Sequence, residues 1–350
     1  MKVFKVFLLF VLIMAYSGCE KDELVRDDYK DILENIGYNV ILATYAELDA
    51  QTLSLASALE DLEVNPTGEN LEKARQAWRN ARVPWEQSEG FLFGPVDQQG
   101  IDPSIDSWPV NQPDLEAVLA SPNVLTKAYI DGLDGTLKGF HTIEYLIFGA
   151  QGTKDIPAFN AREFEYLRAC SQSLEGATRQ LYYTWKPDHQ NFIANVVNAG
   201  QTGFTSVYPS QKAALEEIVN GLVVIADEVA NGKINDPLSQ QNIHLEESRF
   251  SVNSKQDFAD NIKSIKNAYE GSYKTTDGKG ITDIIALKNI GTDTKVRQQI
   301  DAAIEAIESI DGTFTTAIFD ARPSVQNAQQ KVRDLQLTLE SEVLPIISNL

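Results

Sequence analysis

Cysteine is nearly absent, with only Cys19 near the N-terminus and Cys170 deep in the chain. A single interior cysteine cannot form an internal disulfide, so the fold must rest on packing. Histidine is almost as scarce, with His141, His189 and His244 the whole supply. A zinc hydrolase would therefore have to borrow a distant imidazole or use carboxylates. Positive charge is short as well: 30 Lys and Arg face 50 Asp and Glu, a net charge of -20. Such a chain repels phosphate backbones, which argues against nucleic acid as a partner. Gly-x-Ser-x-Gly, His-Glu-x-x-His, a phosphate-binding glycine loop and a dinucleotide glycine fingerprint are all missing. No segment sustains the period-two alternation of a half-buried strand.

What is present is 350 residues of 43% hydrophobic content, enough to bury a core as one large or two medium domains. The first 18 residues read as a processing signal: Lys2 and Lys5, an apolar stretch from Phe7 to Ala15, then Tyr16-Ser17-Gly18 before Cys19. This resembles a bacterial lipoprotein signal, with Cys19 as the lipid attachment point and residues 19–28 as a tether. The expected location is the cell envelope, lipid-anchored to the outer membrane and facing the periplasm or the cell surface.

From Tyr29 onward the periodicity is helical. Ile32, Leu33, Ile36, Val40, Ile41, Tyr45 and Leu48 recur at three and four. A second helix begins near Glu69, and Trp78, Arg82, Trp85 and Glu89 share one face of it, with a kink expected at Pro84. Residues 94–113, rich in Asp, Pro and aromatic groups, read as an ordered loop. A central helix is expected from about Asp134 to Phe148, and a long one from Ala161 to Trp185. Gly200 to Pro209 divides the chain into an N-terminal bundle, residues 29–205, and a C-terminal bundle, residues 206–350. The second half has helices over Pro209 to Val229, stopped by Asn231-Gly232-Lys233, around His244 to Phe250, and over Lys255 to Tyr269. A polar loop covers 271–280, and further helices run to Ile347. The expected fold is all-α, built as two helical, four-helix-like bundles.

The chemistry concentrates in Gly139-Phe140-His141-Thr142-Ile143-Glu144. On a helix His141 and Glu144 project from one face, where an imidazole and a carboxylate can share a metal ion or a proton. A core histidine simply hydrogen-bonded to its neighbour fits the same residues. His244 and Glu247 repeat the spacing. Tyr145 stands where a second zinc-binding histidine would fall. Oxygen-rich ligation by Glu144, Glu89 or Glu247 with one imidazole suits iron, manganese or calcium at least as well as zinc.

These residues resemble the G-x-H-x-x-E motif of imelysin-like proteins. Trp78 through Asp97 with Asp106-Ser107-Trp108-Pro109 is similar to that family's second-helix block and loop. Glu247-Ser248-Arg249-Phe250-Ser251 with Asp257-Phe258 and Asn261-Ile262 is similar to its second-half signature. The resemblance implies bundles related by a pseudo-two-fold with a site at their junction. It also implies a role in bacterial iron uptake, through a bound metal ion or small iron-bearing ligand and an outer-membrane uptake partner. Carried over, His141, Glu144 and Glu89 become metal ligands, and Arg82, Glu89, Asp97, Glu247, Arg249 and Asp257 become ligand-binding residues. The alternative it implies is a metallopeptidase working through His141 and Glu144.

Overall fold

A computed structural model describes residues 28–350. The signal segment, Cys19 and the tether through residue 27 lie outside the described residues. The fold is all-α. Among the described residues the only strands are the two-residue pair Ser272–Tyr273 and Thr276–Asp277, which fold the polar stretch 271–280 into a small hairpin. No helix among the described residues is long and apolar enough to cross a membrane.

Residues 30–64 form one helix, α1, because the apolar positions that recur at three and four are all buried on one side. The next helix, α2 (Gly68–Glu86), starts on Thr67, whose hydroxyl accepts from the Asn70 N–H at 3.2 Å. It passes through Pro84 and ends two residues later, so Glu89 is reached through a separate 3-10 turn, Glu89–Phe91, and not along the same helix. Helix α3 (Gly139–Phe148) starts five residues later than its periodicity predicts, because Lys138 is extended and Gly139 takes φ +75°. Helix α4 (Ala161–Trp185) opens on a capping box between Asn160 and Glu163. Helices α1, α2, α3 and α4 pack on one another.

The second group comprises α5 (residues 211–240), α6 (Ser254–Glu270), α7 (Ile290–Glu308) and α8 (residues 322–348). Asn231-Gly232-Lys233 does not stop α5. The helix widens to π geometry over Glu228–Ile234 and resumes as Asn235–Gln240, absorbing the breaker into a wider turn and burying Lys233. The helix expected around His244 to Phe250 is absent. Only a 3-10 turn, Ile243–Leu245, forms there, and positive φ at Ser248 and Val252 turns the chain out of helical geometry. The two groups meet where α6 packs on α2 and α5 packs on the Glu89–Phe91 turn. A Cβ at Gly221 of α5 would stand 2.4 Å from the Gly90 carbonyl oxygen, so this approach needs a residue without a side chain. One continuous apolar core runs through both groups.

Candidate metal or ligand site at the helix junction

The site is seated by Gly139. A Cβ there would lie 2.3 Å from the Ile105 carbonyl oxygen. Its absence lets the loop of residues 94–113 touch the start of α3, which sets Asp106 beside His141 two residues on. The loop is ordered, as expected, with short helices Pro95–Gln98 and Asp102–Ile105. The Trp78 indole N–H donates to the Phe140 carbonyl at 2.9 Å and fixes α3 against α2. Gly139→Ala should cost about 1–3 kcal/mol through its left-handed backbone alone. Chemical denaturation with an unchanged m-value would show it, and wild-type stability would contradict this account.

His141 has acids facing both of its nitrogens. Nδ1 lies 3.1 Å from Glu144 Oε2, and the other Glu144 oxygen accepts from the Ser251 N–H at 2.8 Å and the Ser251 hydroxyl at 2.7 Å. Glu144 therefore orients the ring. Nε2 faces the junction, 3.1 Å from Asp106 Oδ1 and 3.7 Å from Glu247 Oε1, without a well-aligned hydrogen bond to either. Asp106 also accepts from the Trp85 indole at 2.6 Å and pairs with Arg82.

Two buried cations thread the acids together. The Arg82 guanidinium pairs with Glu86 and Asp106, and reaches Glu247 at 3.1 Å and Asp257 at 3.3 Å. Lys233 Nζ lies 2.8 Å from Glu89, 3.0 Å from Glu247 and 3.7 Å from Glu86. The Asn261 amide donates to Glu86 at 2.6 Å and Glu89 at 2.9 Å. The side chains of Glu86, Glu89, Asp106, Glu144, Glu247 and Asp257 are thus all buried, with Arg82 and Lys233 as the fully buried countercharges among them. Positive charge is in short supply. Buried charge of one sign is costly, so a group in such a place keeps a proton or finds a cation.

The ionisation pattern follows. Burial alone would strip the proton from His141, but Asp106, Glu144 and Glu247 outweigh it and hold the imidazolium well above its usual range. Burial resists charge on Asp106, yet Arg82 and His141 hold that carboxyl well below the ordinary range. Glu247, where burial is overcome by Lys233, His141 and Arg82, sits at about 2. Glu89 goes the other way: burial wins over Lys233 and pushes it well up. Burial, aided by Glu247, likewise raises Asp257 to about 6 against Arg82. The cluster handles its surplus negative charge by holding protons.

Among the described residues, two sets of donor atoms lie close enough to share an ion, each within 4.8 Å of one another: Asp106, His141 and Glu247, and Glu86, Glu89 and Asp106. One imidazole among carboxylates fits a hard or borderline divalent ion. Glu89 and His141 fall in different sets, linked by Asp106. Arg82, Glu247 and Asp257 belong to the same network. Arg249 stands apart on the wall of an adjoining pocket. Asp97 is exposed on the short helix Pro95–Gln98 and does not enter the cluster. His244 is exposed on its 3-10 turn, so its spacing to the buried Glu247 does not repeat the His141–Glu144 pair, though it lines that pocket. His189 stacks on Tyr183 at 3.9 Å, elsewhere on the surface.

Lys233, Asp106, Glu86 and Asn261 complete the cluster; the sequence motifs include Glu86, Asp106 and Asn261, but sequence alone assigns none of the four to the site. Glu86 carried a usable signal, since it lies one helical turn after Arg82.

Comparison with known proteins agrees with this architecture. Residues 41–339 match the family model Imelysin, which carries a peptidase classification. Iron-regulated protein A of Synechococcus elongatus is 32% identical over 315 residues, covering 88% of this chain and 84% of that protein. A crystal structure reported under the name iron-regulated protein A precursor, from Parabacteroides distasonis, superposes with a TM-score of 0.82 at 27% identity, covering 91% of this chain and 94% of that one. An imelysin-like protein from Psychrobacter arcticum shares the fold, with a TM-score of 0.73 at 13% identity over 91% of this chain and 95% of that one. With a family model spanning most of its length and a relative of this identity, the chain belongs to the imelysin family.

Proposed function

We propose that this protein is an iron-related binding protein of the cell envelope, which takes a metal ion or a small iron-bearing ligand into the junction around His141. The observation that carries the reading is the buried surplus of carboxylates converging on the Nε2 face of His141. Asp106, His141 and Glu247 would hold the ion, Glu144 orients the imidazole, and Arg82 and Lys233 keep the empty cluster folded. The names of the Synechococcus and Parabacteroides relatives support the link to iron. In this reading Cys19 carries the lipid anchor to the outer membrane, and an outer-membrane uptake protein is the partner.

Hydrolysis of peptides is less well supported. Oε1 of Glu144 is filled by the Ser251 N–H and hydroxyl, and Oε2 faces His141 Nδ1, so Glu144 is placed to orient the imidazole more than to activate water. The pocket that opens beside His141 has a volume of about 150 Å³, room for a small molecule.

Titration calorimetry with Fe²⁺ under anaerobic conditions should give micromolar or tighter binding. His141→Ala should weaken it at least tenfold, about 1.4 kcal/mol. No binding by the wild type, or equal binding by the variant, would overturn the reading.

A further inference from the structure

The pocket that opens beside His141 has a second polar feature that the cluster does not use. Arg249 lines its wall, half-buried, with its guanidinium 4.1 Å from the centre of its own Phe250 ring. In a chain with 50 acidic residues it makes no ion pair and no hydrogen bond among the described residues. An arginine carries five N–H donors in a rigid fork suited to carboxylate or phosphate. Glu144 and Glu246 lie near enough to act on its charge but neither hydrogen-bonds it, so its N–H fork is left for something that enters the pocket. His244 and the amide of Gln112 line the same space, and Trp108 and Phe250 supply flat apolar walls. The floor is of opposite character: His141 and Glu144 line it, with Asp106 and Glu247 directly behind. Glu246, on the same pocket and almost fully buried, leaves Oε2 without a partner.

A cavity with an acidic floor and a cationic wall is complementary to a ligand that carries a metal at one end and free carboxylate at the other. We infer that the pocket receives the metal as a small hydroxycarboxylate chelate, with Arg249 gripping a carboxylate of the chelator while the metal faces His141. A volume of about 150 Å³ suits a chelator of this size. This rests on the metal-binding reading above but makes a separate demand, that the chelator's anion adds affinity through Arg249.

The test compares three probes by calorimetry: anaerobic Fe²⁺ alone, citrate alone, and ferric citrate. Wild-type protein should bind ferric citrate at least tenfold more tightly than citrate alone. Arg249→Met should lose at least tenfold for ferric citrate while binding Fe²⁺ within twofold of wild type. Arg249→Lys, which keeps the charge but not the fork, should fall between them. Thermal melts of both variants would show that they remain folded. Ferric citrate bound equally by wild type and Arg249→Met, or no gain of ferric citrate over citrate, would overturn the inference while Fe²⁺ binding still stood. Loss of Fe²⁺ binding in the wild type itself would instead fail the underlying reading.

Discussion

Arg82→Met is expected to destabilise the metal-free protein by about 3–5 kcal/mol, because it removes a fully buried cation and leaves its carboxylates behind. Glu86, Asp106, Glu247 and Asp257 would then share only Lys233 and His141. Against total stabilities of about 5–15 kcal/mol this is a large fraction. The penalty should depend on pH with a definite sign. Carboxylates stripped of Arg82 acquire raised folded-state values, so they take up protons on acidification and the strain eases. The difference between variant and wild type, read from denaturant unfolding, should therefore be smaller at pH 5.5 than at pH 7.5. A penalty that is small, or that does not move with pH, would mean that the cluster's charge is balanced elsewhere.

The second large effect is the pH profile of the wild type with and without metal. Asp257 at about 6 and Glu246 at about 7, both raised by burial, lie above the roughly 4 of an unfolded carboxyl. Each contributes stability that is present below about pH 4 and is lost as pH climbs through 6 and 7. His141, raised by its acidic neighbours, contributes stability that is complete below about pH 6.5 and is lost as pH rises through its elevated value. Glu247 at about 2 acts oppositely: its contribution is present above about pH 4 and fades as pH falls to 2. The metal-free protein should thus be most stable near about pH 4 to 5 and weaken steadily toward pH 8.

A bound cation must displace protons from His141 and the raised carboxyls, so its affinity should rise over the range in which the empty protein weakens. At a hundredfold excess over Kd the gain is about 2.7 kcal/mol. Scanning calorimetry in chelator and in excess Fe²⁺ from pH 5 to 8 should show the two melting curves diverging upward in pH. Parallel curves, or a metal-free optimum near pH 8, would contradict the linkage.

How much of this could be read from the residues varies with the kind of segment. The long helices could be read because burial on one face imposes the 3.6-residue period, as from Ile32 to Leu48. His141 and Glu144 could be found because histidine is rare and the spacing puts both on one face. Lys233 could not, because Asn231-Gly232 is a stop signal in an α-helix, and only the widening of α5 into π geometry carries the chain past it. Asp106 sits in a loop whose path is set by a carbonyl packing on Gly139, a tertiary contact with no periodic trace. Asp97, nine residues earlier in the same acidic loop, could not be told apart from it by residue type, and the two end on opposite sides of the distinction between solvent and core. His244 and Glu247 share the spacing of the motif, but spacing carries meaning only on a helix, and that segment is a turn.

Anomalous diffraction at the iron edge from Fe²⁺-soaked crystals tests the central claim most directly. The account predicts a peak about 2.0–2.3 Å from His141 Nε2, flanked by Asp106 and Glu247 carboxylate oxygens and lost in His141→Ala. A peak only among exposed surface acids, or one at the junction that survives the loss of His141, would contradict it.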